Sequence, residues 1–205
     1  MRFRTMVGEV IMKVLIIYCH PSNNSFTSRV KDEFIKGLEI SNHEYCLLDL
    51  YDLNFKETFG EEEYLREAFY NDKLDIPTDV KKQQQLINES DALVFIYPVF
   101  WTEAPSKLVG WFQRVWTYGF AYGSKAKMKQ LDKVLMLVTM GGDLTEKLRQ
   151  KQVEAMKTVM LGDRINDRAK EKEMIIFDRM SRDYPDREAN YEKNLKRAYQ
   201  IGKEF

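Results

Sequence analysis

The chain has 205 residues, 44% of them hydrophobic, and its 32 Lys and Arg balance 32 Asp and Glu. Zero formal net charge leaves no electrostatic footprint for nucleic acid or an anionic membrane as the main partner. Two histidines, and two cysteines without a CxxC spacing, exclude a multi-histidine metal site and argue against zinc.

The N-terminal stretch MRFRTMVGEVIM opens basic, but Glu9 and Lys13 interrupt its apolar run and no small-residue cleavage signal follows. It reads as neither signal peptide nor membrane span. Met12 stands directly before the first strong strand, so 1–205 reads as one domain in which 1–11 is an N-terminal extension. The first strand is Val14–Cys19 (VLIIYC), and the loop HPSNNSFTSRV leads into a helix whose apolar residues Phe26, Val30, Phe34 and Leu38 step by four. Tyr45–Leu50 is a second strand, followed by the charged stretch 51–75, which reads as an insertion or lid. Val80, Gln84 and Ile87 mark a more polar helix, and Leu93–Tyr97 (LVFIY) a third strand. Leu108, Phe112, Val115 and Trp116 mark the next helix, opened by Pro105 near its first turn. Val134–Thr139 is the fourth strand, Leu144–Met160 a helix, and 161–173 a second charged insertion or lid. Met174–Phe177 is a weaker fifth strand, and Glu188–Gly202 the closing helix.

Strands one, three and four are apolar almost throughout, which suits a parallel sheet covered on both faces. The β-α alternation predicts a three-layer α/β fold with right-handed crossovers and a five-stranded parallel sheet in the order 2-1-3-4-5. The longest later apolar run, LVFIYPVFW, is too short to cross a bilayer. Cys19 and Cys46 both lie in apolar runs, and are expected to be reduced core thiols of a cytoplasmic protein.

In such a sheet, ligands bind beyond the carboxyl ends of the strands where the strand order reverses. The loop after the first strand carries neither the dinucleotide glycine fingerprint nor a P-loop lysine. It admits two readings: N-capping of the helix by Ser25 or Thr27, or a phosphate cradle of hydroxyls and amides. Prolines 98 and 105 bracket a stiff, extended loop after the third strand. Its unpaired amides suit the polar edge of a flat heterocycle, and Phe100 and Trp101 supply a wall; an ordinary packed loop fits the same residues. The loop TMGGD lets the backbone approach a ligand, although glycine pairs are common in turns. All three tryptophans lie between Tyr97 and Trp116. Trp101 is the ligand-wall candidate. Trp111 and Trp116 stand five apart, about 140° around a helix, so they are expected on different faces, one on the sheet and one toward a dimer partner.

The segments YCHPSNNSFT, DLYDLNF (49–55), QQQLINESDALVFIYPVFWTEAPSKLVGWFQRVWTYGFAYG (83–123) and LVTMGG (137–142) resemble the NAD(P)H:quinone oxidoreductase family, including its potassium-efflux-regulating branch, within the flavodoxin-like superfamily. The likeness runs from Lys13 to Gly142. It implies a flavodoxin-like homodimer holding a flavin, with His20, Ser25, Phe26 and Thr27 along the phosphate chain. Pro98, Val99, Phe100 and Trp101 would line the isoalloxazine, and Thr139, Met140, Gly141 and Gly142 would close the other side. Trp101 and Tyr122 would wall the substrate pocket, Tyr122 reaching into the partner's site. The spacing from His20 to Ser25 resembles the FAD-using members, and YGFAYG the FMN-using branch; FAD is the expectation. NAD(P)H would be the cosubstrate and a quinone-like molecule the acceptor, in ping-pong order. The family's tyrosine and histidine after the glycine pair are absent: the segment reads DLTEKLRQKQVEAMK, and no histidine follows His43. No catalytic residue is assigned. The alternative is a regulatory flavoprotein reporting redox state to a partner such as an ion-efflux transporter.

Overall fold

The computed structural model describes residues 11–205. The expectation of an N-terminal extension therefore lies outside the described residues except at Ile11, which is exposed. The elements run β1 (Lys13–Tyr18), α1 (Phe26–Ile40), β2 (Glu44–Asp49), α2 (Glu61–Ala68), α3 (Thr78–Glu89), β3 (Ala92–Pro98), α4 (Ser106–Val115), β4 (Leu131–Thr139), α5 (Lys147–Lys157), a π-helical segment Thr158–Ile165, β5 (Ala169–Phe177) and α6 (Arg187–Lys203). The five strands are parallel in the order β2-β1-β3-β4-β5. Among the described residues no helix is long and apolar enough to cross a membrane, and no group of three or more His, Cys, Asp and Glu could hold a metal ion.

Alternation along each strand makes two cores. Leu15, Ile17 and Cys19 pack with Ile87, Leu108 and Val153 beneath α3, α4 and α5. Val14, Ile16 and Tyr18 face the other way, with Phe34 of α1 and Ala198 of α6. Every residue of β3 is buried, as a strand central to a doubly covered sheet must be. Each large apolar side chain so removed from water contributes roughly 1.5–3 kcal/mol. Pro98 stands opposite Thr139, and Thr139 opposite Phe177. Three strands therefore end level, and their loops emerge side by side.

Helices α1 and α6 touch backbone to backbone. A methyl group on Gly37 would land on the Tyr199 carbonyl oxygen, and one on Gly202 on the Phe34 carbonyl oxygen. Gly37→Ala is expected to lower stability by about 1–3 kcal/mol, the usual cost of overpacking. A shifted urea midpoint at unchanged slope checks this.

Several expectations are corrected. Cys46 is exposed on edge strand β2, and only Cys19 is buried; burial pushes the Cys19 thiol up to about 12. The stretch 161–173 is not a lid. It completes the π-helical segment and then begins β5, whose charged residues Lys170 to Glu173 are exposed on the sheet edge. The stretch 51–75 contains α2, whose surface is largely exposed but which is pinned to the body of the protein through Arg66. Arg66 is buried, with Nε donating to Leu74 O (3.2 Å) and Nη2 to Tyr118 O (3.0 Å).

The two tryptophans of the fourth helix also differ from expectation. The helix stops at Val115, and Trp116 leaves the helical path at φ −79° and ψ 65°. Its ring swings onto Trp111, with centroids 5.1 Å apart, and its Nε1 donates to Arg164 O at 2.6 Å. Trp111 is fully buried against Phe95. Both indoles pack against the same core cluster, so they share a side rather than standing on different faces.

Candidate functional site

Thr139 joins the three loops at the carboxyl edge of the sheet. Its hydroxyl shares a buried 2.7 Å hydrogen bond with the Thr27 hydroxyl, and its carbonyl accepts from the Val99 amide at 2.9 Å. The strand-end loops of β1, β3 and β4 are thus locked in one arrangement.

In the first loop, Ser25 is the N-cap of α1, its Oγ accepting from the Ser28 amide at 3.0 Å. The capping reading holds for Ser25 and not for Thr27, whose hydroxyl goes to Thr139. The amides of Phe26 and Thr27, at the start of the helix, have no protein acceptor among the described residues and remain available to an anion. The Phe26 ring packs on Tyr191, at 5.0 Å between centroids. His20 accepts from the Ser22 amide at Nδ1 (2.9 Å), which fixes the loop and leaves Nε2 as the donor of a neutral ring. Burial holds its pKa below the ordinary histidine value.

In the second loop, residues 100–103 close into a tight turn rather than an extended one. Phe100 and Glu103 exchange both backbone hydrogen bonds, 2.8 and 3.0 Å. Trp101 and Thr102 both take positive φ, 52° and 65°. Neither residue suits that conformation, a β-branched one least of all, and such strain costs roughly 1–3 kcal/mol per residue. The turn projects Trp101 entirely into solvent at 100% exposure, with Phe100 also exposed. A fully solvated indole on a strained turn has no packing role within this chain.

In the third loop, the carbonyls of Met140, Gly141 and Gly142 accept from the amides of Met180, Ser181 and Arg179. The Met140 amide donates to Phe177 O at 2.9 Å. The loop after β5 therefore grips one side of this segment, and the amides of Gly141 and Gly142 have no protein acceptor among the described residues. A cavity of about 420 Å³ opens beside them, lined by Gly141, Gly142, Arg149, Ser181, Asp183 and Tyr184. The last four residues were not anticipated from sequence. The Ser, Asp and Pro content of the segment before Pro185, following a strand, was the available signal. Free amides on a glycine pair, free amides at a helix start and an exposed aromatic wall fit a flat, phosphorylated heterocycle such as a flavin.

Tyr122 lies apart from these loops. Its hydroxyl donates to Glu67 Oε2 at 2.7 Å, and its ring meets Tyr118 at 5.7 Å. Burial, reinforced by the Glu67 carboxylate, raises its pKa. Helix α2 thus holds Tyr122 in a fixed position.

The model of a family described by its flavodoxin-like fold matches residues 12–166. A solved structure, the NAD(P)H:quinone oxidoreductase from Methanothermobacter marburgensis, is 37% identical with a TM-score of 0.87, over 95% of this chain and 96% of that one. The chain belongs to the flavodoxin-like NAD(P)H:quinone oxidoreductase family. Among curated members, NAD(P)H dehydrogenase [quinone] 1 of Cavia porcellus is 27% identical over 149 residues, 64% of this chain and 54% of that protein. A ribosyldihydronicotinamide dehydrogenase-like protein of Penicillium crustosum is 32% identical over 126 residues, 55% of this chain and 46% of that protein. The chain spans about half the length of these curated members of the family. The fold class, the strand order and the family read from the sequence all hold.

Proposed function

We propose that the protein is a flavin-dependent NAD(P)H oxidoreductase acting on a quinone or similar two-electron acceptor. The observation that carries this is the junction at Thr139, which binds three ligand-competent loops into one rigid edge. A bound flavin would supply the redox chemistry, taking hydride from NAD(P)H and passing two electrons to the acceptor in successive occupancies of one pocket. The residues of the chain supply position and electrostatics. Amides of Phe26 and Thr27 hold phosphate, with His20 and Ser25 shaping that loop. Pro98, Val99 and Phe100 form the near wall and Trp101 a stacking surface. Thr139, Met140, Gly141 and Gly142 close the far side, where the free amides of Gly141 and Gly142 would meet the polar edge of the ring. FAD is the preferred cofactor and FMN the alternative.

The chain is further proposed to act as a homodimer, in which Tyr122 walls the partner's pocket. Exposed Tyr64, Leu65, Phe69 and Tyr70 on and after α2 support this, since apolar surface so concentrated marks an interface.

Purified protein is expected to turn yellow with FAD or FMN, and to bleach when NADH or NADPH is added without oxygen. Protein that stays colourless with both flavins overturns the assignment. With a quinone as second substrate, double-reciprocal plots should be parallel; intersecting lines would show two substrates bound together and refute the shared pocket.

A further inference from the structure

We propose that Arg149 is the charge-stabilising residue of the Gly141–Gly142 loop, the cation that favours the more negative, reduced form of the flavin. This rests on the flavin reading above and adds a residue to it.

Arg149 lies across a turn from the glycine pair, on the first turn of α5. Its side chain rests on Gly142: a Cβ there would fall 2.5 Å from Arg149 Nε and 3.0 Å from Cδ. Only glycine admits the arginine at this distance. The guanidinium is poorly neutralised. Nη1 donates to a neutral acceptor, Gln152 Oε1, at 2.9 Å. The nearest carboxylate oxygen, Glu146 Oε2, is 3.6 Å from Nε. Nε itself is buried with no acceptor. The neighbouring Arg179 also has a buried Nε without an acceptor, but differs in that Asp143 and Asp186 hold its Nη atoms at 3.1 and 2.8 Å.

The helix start sharpens the point. The first turn of α5 has no acidic residue, and its N-cap Glu146 makes no capping bond. An N-terminus normally attracts anions, so a cation placed there is unfavourable by itself. Arg149 and the glycine pair line one cavity, where the guanidinium stands beside the free amides of Gly141 and Gly142. Asp183, which also lines it, has its Oδ2 accepting from Ser181 Oγ at 3.2 Å. A group that gains negative charge while held there is stabilised, with no protein rearrangement at the moment of electron transfer.

The test compares wild-type protein with Arg149→Gln, Arg149→Lys and Lys151→Gln, the last removing an exposed charge from the same helix. Each is loaded with FAD, and flavin affinity and midpoint potential are measured. Arg149→Gln should hold oxidised flavin yet favour the reduced form about tenfold less, read as a potential about 30 mV more negative for a two-electron couple. Arg149→Lys should recover most of this, and Lys151→Gln should leave the potential at the wild-type value. An unchanged potential in flavin-loaded Arg149→Gln overturns the proposal. So does an equal shift in Lys151→Gln, which would reduce the effect to net charge. If Arg149→Gln folds but releases oxidised flavin, Arg149 holds the cofactor rather than favouring its reduced form, and the proposal is again overturned. Wild-type protein that takes up no flavin would refute the function itself, a separate outcome.

Discussion

Replacing Arg114 with alanine is expected to remove about 3 kcal/mol of stability, the low end of the cost of breaking a buried ion pair. The side chain leaves α4 almost fully buried and joins three elements. Its Nε donates to Glu63 Oε1 at 2.7 Å, its Nη1 to Lys56 O at 2.7 Å and Asp79 Oδ2 at 2.6 Å, and its Nη2 to Asp79 Oδ1 at 3.2 Å. The guanidinium also covers the Phe55 ring at 5.0 Å. Deleting it strands the mostly buried Glu63, whereas Asp79, with 44% of its side chain exposed, is partly rescued by water. That asymmetry sets the estimate at the low end.

The loss carries a pH signature. Burial opposes ionisation of Asp79, but its hydrogen bonds and the Arg114 charge outweigh this, so its folded pKa lies below the ordinary value. A depressed carboxyl stabilises the fold above its unfolded pKa, and that contribution disappears as pH falls through the folded one. The difference between wild type and Arg114→Ala should therefore be full at neutral pH and shrink below about pH 4. Urea melts at several pH values check it. A difference that persists undiminished in acid would assign the effect to packing on Phe55.

Trp101→Ala should do the reverse: leave the unfolding midpoint where it is and damage function. The indole is fully exposed, so its removal creates no cavity. A ring stacked on an aromatic face is worth about 1–3 kcal/mol, and flavin or nicotinamide affinity should fall about tenfold or more. Flavin titration and kcat/KM for NAD(P)H read the change. If both stay at wild-type values while Tm also stays fixed, the stacking surface lies elsewhere.

These two residues show what was legible beforehand. β1, β3 and β4 are written as unbroken apolar runs, since both faces are covered, and the strand order followed from their alternation with helices. β5 was recognised only over its last residues because Lys170 to Glu173 lie on an open edge, where burial leaves no mark on the sequence. Helix α2 escaped because polar groups, Arg66 and Arg114, hold it rather than an apolar stripe. The loops at the strand ends were singled out because topology dictates where ligands bind in such a sheet. Arg149 was missed because its contact with Gly142 spans a loop and follows no helical or strand period. The turn at Trp101 was read as extended, since neither Trp nor Thr advertises a positive φ.

The interlocked glycines of α1 and α6 have a consequence for how the chain is made. Helix α6 follows every strand in the order of synthesis, yet it covers Leu135, Leu137 and Phe177 and fits its backbone against that of α1. A growing chain can assemble the α3–α4 side of the sheet as it emerges from the ribosome, but on the opposite side only α1 is in place, and the β4–β5 end stays uncovered until α6 arrives. Nascent chains should therefore bind chaperones through that side, and a premature stop ahead of Arg187 would leave an aggregating product however complete the strand-end loops already were.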